Sequence, residues 1–226
     1  MKDKIIIWIL GALSSGKTTQ NKLLLENLGN GPRVYHSGTQ GETFFAYTTY
    51  GDICSLGKID ETQCCGLDRV SSRMKNEGLV LSLQLALKKC DIVVVESIMS
   101  ASTWFDLLKK FDTNLFIFRL DTTFEENARR LRWRQWSKAN GMENEPYPDF
   151  EDPDLDPAAR LSEKMALFTH PLTDANYEFI RKTRMQYENI FNKFIKEPGV
   201  KGAVIDANRD PQLIHTEIVS QVYFNL

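Results

Sequence analysis

The chain has 226 residues, with 28 Lys and Arg against 30 Asp and Glu and a formal net charge of −2. That length suits one α/β domain with insertions, and the near-neutral balance excludes a strongly basic nucleic-acid coat, leaving only a local patch for such contact. No stretch approaches the length of a membrane span. The early apolar run is too short for a signal peptide and lacks a cleavage site, so a cytoplasmic setting is expected. The four cysteines, Cys54, Cys64, Cys65 and Cys90, match neither a zinc-ligand spacing nor C-x-x-C, and reduced thiols are expected.

The apolar run Ile5-Ile6-Ile7-Trp8-Ile9-Leu10 reads as a buried strand. It feeds Gly11, four residues, Gly16, Lys17 and Thr18, the pattern G-x-x-x-x-G-K-[ST]. A helical stretch with Leu23, Leu24 and Leu28 follows, so strand, glycine turn and helix come in the order that phosphate binding needs. Loop amides must turn inward around a polyphosphate, and the two glycines remove side chains that would obstruct this. The helix start adds positive partial charge. The expected ATP site is Gly11, Ala12, Leu13, Ser14, Ser15, Gly16, Lys17, Thr18 and Thr19, with Lys17 reaching the β- and γ-phosphates and Thr18 on Mg²⁺.

After the turn cluster Gly29-Asn30-Gly31-Pro32, residues Arg33 to Ser37 read as a second short strand, broken by Ser37-Gly38-Thr39-Gln40-Gly41. Such a break falls where a parallel sheet binds ligands, which makes Ser37 a candidate substrate contact. Residues 42–67 have weak periodicity but many aromatics, among them Phe44, Phe45, Tyr47 and Tyr50. They suit an insert covering the substrate, extending to about residue 70 and including Phe44 and Arg69; packing as core is the other reading. Ser71 to Lys89 has helical spacing. Asp91 to Glu96 is a β-branched run of the kind found in strands covered on both faces. A short helix over Ala101 to Phe111, a strand over Asn114 to Leu120, and a helix from Asp121 with Thr122 and Glu125 in capping-box register come next.

Residues 143–157 hold seven acids and four of the eight prolines, which disfavours helix and strand and suggests an acidic loop. A long helix then carries Tyr177, Ile180, Arg184, Tyr187, Ile190, Phe191 and Phe194 as its stripe. Lys201 to Asp206 is a last strand, and Asp210-Pro211 opens a final helix. The alternation predicts a single three-layer α/β/α domain over residues 1–226, built on a five-stranded parallel sheet with an Arg-rich lid at about 129–157.

Beyond the phosphate loop, Glu96 ends an apolar strand beside it and suits a Mg²⁺ ligand or a base. Arg129, Arg130, Arg132 and Arg134 lie on one helix, with Arg130 and Arg134 on a shared face. Guanidinium groups there match the charge spread over a transferring phosphoryl group and can arrive with a closing lid; a basic face neutralised by the acidic loop is the alternative. Asp68 suits a base or a substrate contact, and equally a helix N-cap. Asp206-Ala207-Asn208 suits either an adenine border or a plain loop turn. His36, His170 and His215 are scattered and take no catalytic role.

Three segments, GALSSGKTT, FIFRLDTTFEENARRLRWR and VIDANRDPQLI, resemble the nucleoside- and nucleotide-kinase branch of phosphate-loop proteins, and their order is similar to that in thymidylate kinases. The resemblance implies an ATP-dependent phosphotransferase with ATP and Mg²⁺ as cofactors. Lys17, Asp68, Glu96, Arg130 and Arg134 would then be catalytic, Thr18 and Glu96 would be metal ligands, and Ser37, Phe44, Asp68 and Arg69 would be substrate contacts. Two departures stand out. The acidic-Arg-Tyr type motif after the third strand is replaced by Glu96-Ser97-Ile98-Met99, and the arginine expected after the second strand is absent from Ser37 to Thr43.

The insert GDICSLGKIDETQCCGLDRVSS and the segment VVVESIMS are similar to viral kinases that phosphorylate 5-hydroxymethyluracil within DNA, a step in thymidine hypermodification. This second resemblance implies an acceptor base already in DNA, flipped out or read single-stranded. A deoxynucleoside or deoxynucleoside monophosphate kinase is the alternative. A nucleotide-hydrolysing switch or assembly protein is a third class, for which the chain offers no paired Asp-Glu and no partner-binding repeat.

Overall fold

Ile5–Gly11 form β1, seven residues buried without a break, because this strand lies at the middle of a sheet covered on both faces. Its side chains alternate between two apolar layers, as the pleat requires. Ile6, Trp8 and Leu10 enter one layer and Ile5, Ile7 and Ile9 the other. The computed structural model describes residues 4–60, 66–70, 75–96, 102–142, 147–148 and 154–225.

Along the chain, β1 is followed by α1 (Lys17–Leu28), β2 (Arg33–Gln40), β3 (Thr43–Tyr50), β4 (Ile53–Leu56), a 3₁₀ turn at Leu67–Arg69 and α2 (Asn76–Lys89). Next come β5 (Ile92–Glu96), α3 (Ser102–Leu108), β6 (Asn114–Asp121), α4 (Phe124–Ala139) and α5 (Pro157–Thr169). The chain ends with α6 (Asp174–Phe194), β7 (Val200–Asp206) and α7 (Pro211–Phe224). One layer takes Leu79 and Leu83 of α2, Phe105 and Leu108 of α3, and Tyr187, Ile190, Phe191 and Phe194 of α6. The other takes Leu24 and Leu25 of α1 and Ile214, Ile218 and Val222 of α7.

The sheet has seven strands in the order β2-β3-β4-β5-β1-β6-β7. The expectation of a five-stranded all-parallel sheet is therefore corrected. β4, β5, β1, β6 and β7 pair in parallel, while β3 runs antiparallel to both its neighbours, β4 and the edge strand β2. Ser37–Gln40 of the expected break continue β2, in which Ser37 pairs with Ala46, and the turn begins at Gly41. Residues 42–67, of which 61–65 lie outside the described residues, include two strands of the sheet. Their first part is strand, and Tyr47 is buried while Phe44 and Phe45 pack against the core. The physical reason is that Thr43–Tyr50 is rich in aromatic and β-branched residues, which suit a pleated surface. Burial on both faces at Ala46 to Thr49 then hides the alternation that would announce a strand.

Helix boundaries follow capping chemistry. α4 is capped by Thr123, whose hydroxyl accepts from Glu126 N at 3.2 Å, one residue later than the Thr122–Glu125 register predicts. α6 opens on a capping box between Thr173 and Asn176. α5 emerges directly from the acidic stretch, where Asp156 accepts from Ala158 N at 3.0 Å and Pro157 sits in the first turn. Residues 143–146 and 149–153 of that stretch lie outside the described residues, as does the first part of the expected helix at 71–74. Cys54 and Cys90 are free and buried, as expected, while Cys64 and Cys65 lie outside the described residues. Among the described residues, no helix is long and apolar enough to cross a membrane.

Asp210 holds the start of α7 by accepting from Gln212 N at 2.8 Å and Leu213 N at 3.3 Å. Asp210→Ala should lower stability by about 1 kcal/mol through loss of this cap, measured as a lower urea midpoint with an unchanged slope.

Candidate phosphate-transfer site

The loop between β1 and α1 curls tightly. Ser14 and Gly16 both adopt positive φ, 60° and 92°, and such left-handed residues turn successive amides to one side. Gly11 is fixed by space: a Cβ there would lie 2.3 Å from Ser15 Oγ and 3.1 Å from Leu120 O. Gly16 is also the residue before α1, whose first turn carries no side-chain cap and no acid. The free amides of that turn and the positive end of the helix dipole therefore face the loop. Leu13, Ser14, Gly16 and Thr18 are partly accessible and Thr19 is exposed, so the loop has an open mouth.

Lys17 is buried, with Nζ donating to Gly11 O at 2.8 Å and Ala12 O at 2.9 Å. Burial lowers its pKa below the usual ammonium range; Glu96 and Asp68 oppose this and Arg134 reinforces it. Glu96, the last residue of β5, is fully buried. Its carboxyl is pushed up to about 7 by burial and then by the Asp68 charge, against the pull of Lys17, Thr18 and Asn21. Lys17, Thr18, Asn21 and Glu96 thus lie together at the carboxyl end of the parallel strands, where such sheets bind ligands, and the charges of Asp68 and Arg134 are felt there.

Several atoms there suit an added ligand. Ser14 Oγ, Ser15 Oγ and Glu96 Oε2 are buried without a hydrogen-bond partner, a condition that is costly unless a ligand or water completes it. Thr18 Oγ1 donates to Glu96 Oε1 at a long 3.3 Å. A threonine hydroxyl and a carboxylate are hard oxygen donors of the type Mg²⁺ takes, together with phosphate oxygens and water. Among the described residues, no group of three or more His, Cys, Asp or Glu side chains could hold a metal by itself.

Sequence reasoning missed the supports of Glu96. Asn21, four residues beyond Lys17 on the inner face of α1, is fully buried and donates to Ser55 Oγ at 2.8 Å while lying against Glu96. A buried asparagine one turn after the loop lysine is the signal that could have found it. Gly66 is the second support. It pairs with Lys58 through two backbone hydrogen bonds, 3.1 and 2.7 Å, and sits at φ 68° directly against the carboxylate. The turn before it is tied to the sheet by Thr48, whose Oγ1 donates to Gly57 O at 2.9 Å and accepts from Ile59 N at 3.1 Å. Asp68, two residues beyond Gly66, makes its charge felt at Glu96. It is not the N-cap of α2, a position held by Lys75.

The basic helix is α4. Arg130 donates to Glu126 Oε1 at 2.7 Å and to Ala207 O at 2.9 Å, so it joins α4 to the Asp206-Ala207-Asn208 turn. Arg129 pairs with Glu163 of α5 and with Glu126. Among the described residues, two of its acidic partners thus lie on helices. Arg134 is the member of the set whose charge is felt at Lys17. Ser37 and Phe44 are not brought to the loop. With β2 four strands from β1 and β3 three, a spacing of about 4.8 Å per strand puts them roughly 19 and 14 Å away. The side chain of Arg69 and residues 97–101 lie outside the described residues.

No protein-family model and no curated protein matches the chain. Solved structures of deoxyadenosine kinase from M. mycoides are similar along the full length. One, with products dCMP and a flexible dCDP bound, aligns over 98% of this chain and 100% of its own at TM-score 0.45 and 10% identity. Another, with bound dATP, aligns over 96% and 99% at TM-score 0.43 and 13% identity. Likeness at this level assigns no residue a role here.

A Cβ at Gly66 would lie 2.6 Å from Glu96 Oε1. Gly66→Ala should therefore destabilise the protein by about 1–3 kcal/mol through backbone strain and displacement of the carboxylate. Urea unfolding of Gly66→Ala, Glu96→Ala and the double variant checks this, with the alanine at 66 costing less once Glu96 is shortened.

Proposed function

We propose that this chain is an ATP-dependent phosphotransferase that phosphorylates an alcohol, with a deoxynucleoside as the acceptor class. The observation that carries the reading is the meeting of Lys17, Thr18, Asp68 and Glu96 at the mouth of the glycine loop, with Glu96 Oε2 lacking a partner. Bound at the loop, Mg²⁺ and ATP would supply an electrophilic terminal phosphoryl group. The chain's own groups would do the rest. Loop amides and Lys17 hold the phosphate oxygens, Thr18 and Glu96 Oε1 hold the cation, and Arg134 adds positive charge where negative charge spreads.

The alcohol argument comes from the carboxylates. A hydroxyl must lose its proton as it joins phosphorus, whereas a phosphate acceptor is already ionised. Asp68, whose charge is felt at Glu96, suits that proton transfer, with Glu96 left to hold the cation. A hydroxymethyl group on a base within DNA is an alcohol too. It gains less support, because a flipped base needs a stacking surface and the aromatics at 44–47 are committed to β3 and the core. The net charge of −2 also disfavours a long strand contact.

The acceptor is tested with γ-labelled ATP and three acceptors: free deoxynucleosides, deoxynucleoside monophosphates and hydroxymethyluracil-containing DNA. Label in deoxynucleosides is expected. Label only in DNA would restore the polymer reading, and label only in monophosphates would remove the need for a base. Lys17→Ala should cost about 3–4 kcal/mol of transition-state stabilisation, read as a fall in kcat/KM. The pH dependence has a definite sign. In the free chain a carboxyl raised to about 7 is protonated, and lost as a cation ligand, as pH falls through 7. kcat/KM should then drop about tenfold per pH unit on the acid side, and Glu96→Gln should be low and flat across that range.

A further inference from the structure

We infer that Tyr187 of α6 is a positioning residue for Lys17, its ring face setting the ammonium where it meets the outer phosphates of a bound nucleotide. This rests on the phosphate-loop reading above and adds a residue from a distant part of the chain. Lys17 Nζ lies 5.7 Å from the centroid of the Tyr187 ring, within the range of a cation–π contact. An ammonium has three protons. Gly11 O and Ala12 O accept two, and among the described residues no carboxylate comes within ion-pair distance of Nζ. Among the described residues the ring is therefore a third close partner of a charge withdrawn from water, a setting in which such contacts are strongest.

The ring is not free to move. Tyr187 is 1% exposed and belongs to the apolar layer with Phe191 and Phe194. Its neighbours on α6 fasten the helix to the rest of the site. Arg184 donates to Asn127 Oδ1 of α4 at 3.2 Å, and Glu188 lies 3.7 Å from Arg119 of β6. A fixed ring limits where the long Lys17 side chain can place its charge. The consequence is selective: nucleotides that carry β- and γ-phosphates gain from it, and AMP does not.

Equilibrium binding of Mg·ATP and of AMP to the full chain tests this, using wild type, Tyr187→Phe and Tyr187→Leu. Tyr187→Leu should weaken ATP roughly tenfold, within the span of a desolvated cation–π contact, while AMP changes less than twofold. Tyr187→Phe keeps the ring face and should restore the ATP-to-AMP ratio. Tyr187→Met, which fills similar volume without a ring, should give the same split and serves if the leucine variant does not fold. In a Lys17→Ala background, loss of the ring should have no further effect on ATP. Equal losses of ATP and AMP, wild-type ATP affinity in Tyr187→Leu and Tyr187→Met, or additive effects with Lys17→Ala would each overturn the inference. A wild-type chain that prefers ATP to AMP yet phosphorylates no nucleoside would sink the proposed function and leave this inference standing. One with no such preference would sink both.

Discussion

Two opposite charges withdrawn from water at the rim of one sheet set the terms for the whole molecule. The Lys17 ammonium and the Glu96 carboxylate are each fully buried and each disfavoured by that burial. A lone charge in such a place would be neutralised or expelled. Here each partly offsets the other, and polar groups close around both. Carbonyls surround the ammonium, and Thr18 and Asn21 attend the carboxylate. The arrangement holds only if β1 and β5 end side by side, which their parallel register from Ile5↔Ile92 to Ile9↔Glu96 ensures. Apolar strands thus place the polar chemistry.

The antiparallel edge has a share in this. β3 and β4 extend the sheet and also carry the Thr48 fastening that sets the turn before Gly66, and Gly66 backs the carboxylate. α6 plays the corresponding part on the other side, reaching the loop lysine, α4 and β6 from a single surface. Both supports act on the site from outside the residues that its motifs announce.

Much of this is legible in the residues. The glycine loop, β1, β5, β6, β7 and the cap at Asp210 follow local rules, because strand, turn and cap signals lie within a few residues of one another. The placement of Glu96 beside Thr18 follows from a carboxylate ending a parallel strand. What cannot be read depends on long-range pairing. β2 is exposed along most of its length and Ala46 to Thr49 of β3 are buried on both faces, so neither strand shows a clean alternation, and the distance of Ser37 and Phe44 from the glycine loop is not legible. Tyr187 reads as ordinary core stripe, since helical spacing says which face is inward but not that a lysine from residue 17 waits there. Gly66 is hidden for the same reason: its need for a bare α-carbon comes from a side chain thirty positions later.

The buried thiols at the foot of β4 carry a consequence of their own. Cys54 and Cys90 are hydrogen-bonded to each other; burial pushes the Cys54 thiol up, and that bond draws Cys90 down. Neither sulfur meets solvent in the folded chain, so an alkylating reagent reaches them only when β4 separates from α2. Their modification rate is therefore a built-in clock for local opening of the same wing of the sheet that braces the carboxylate, readable without any added label.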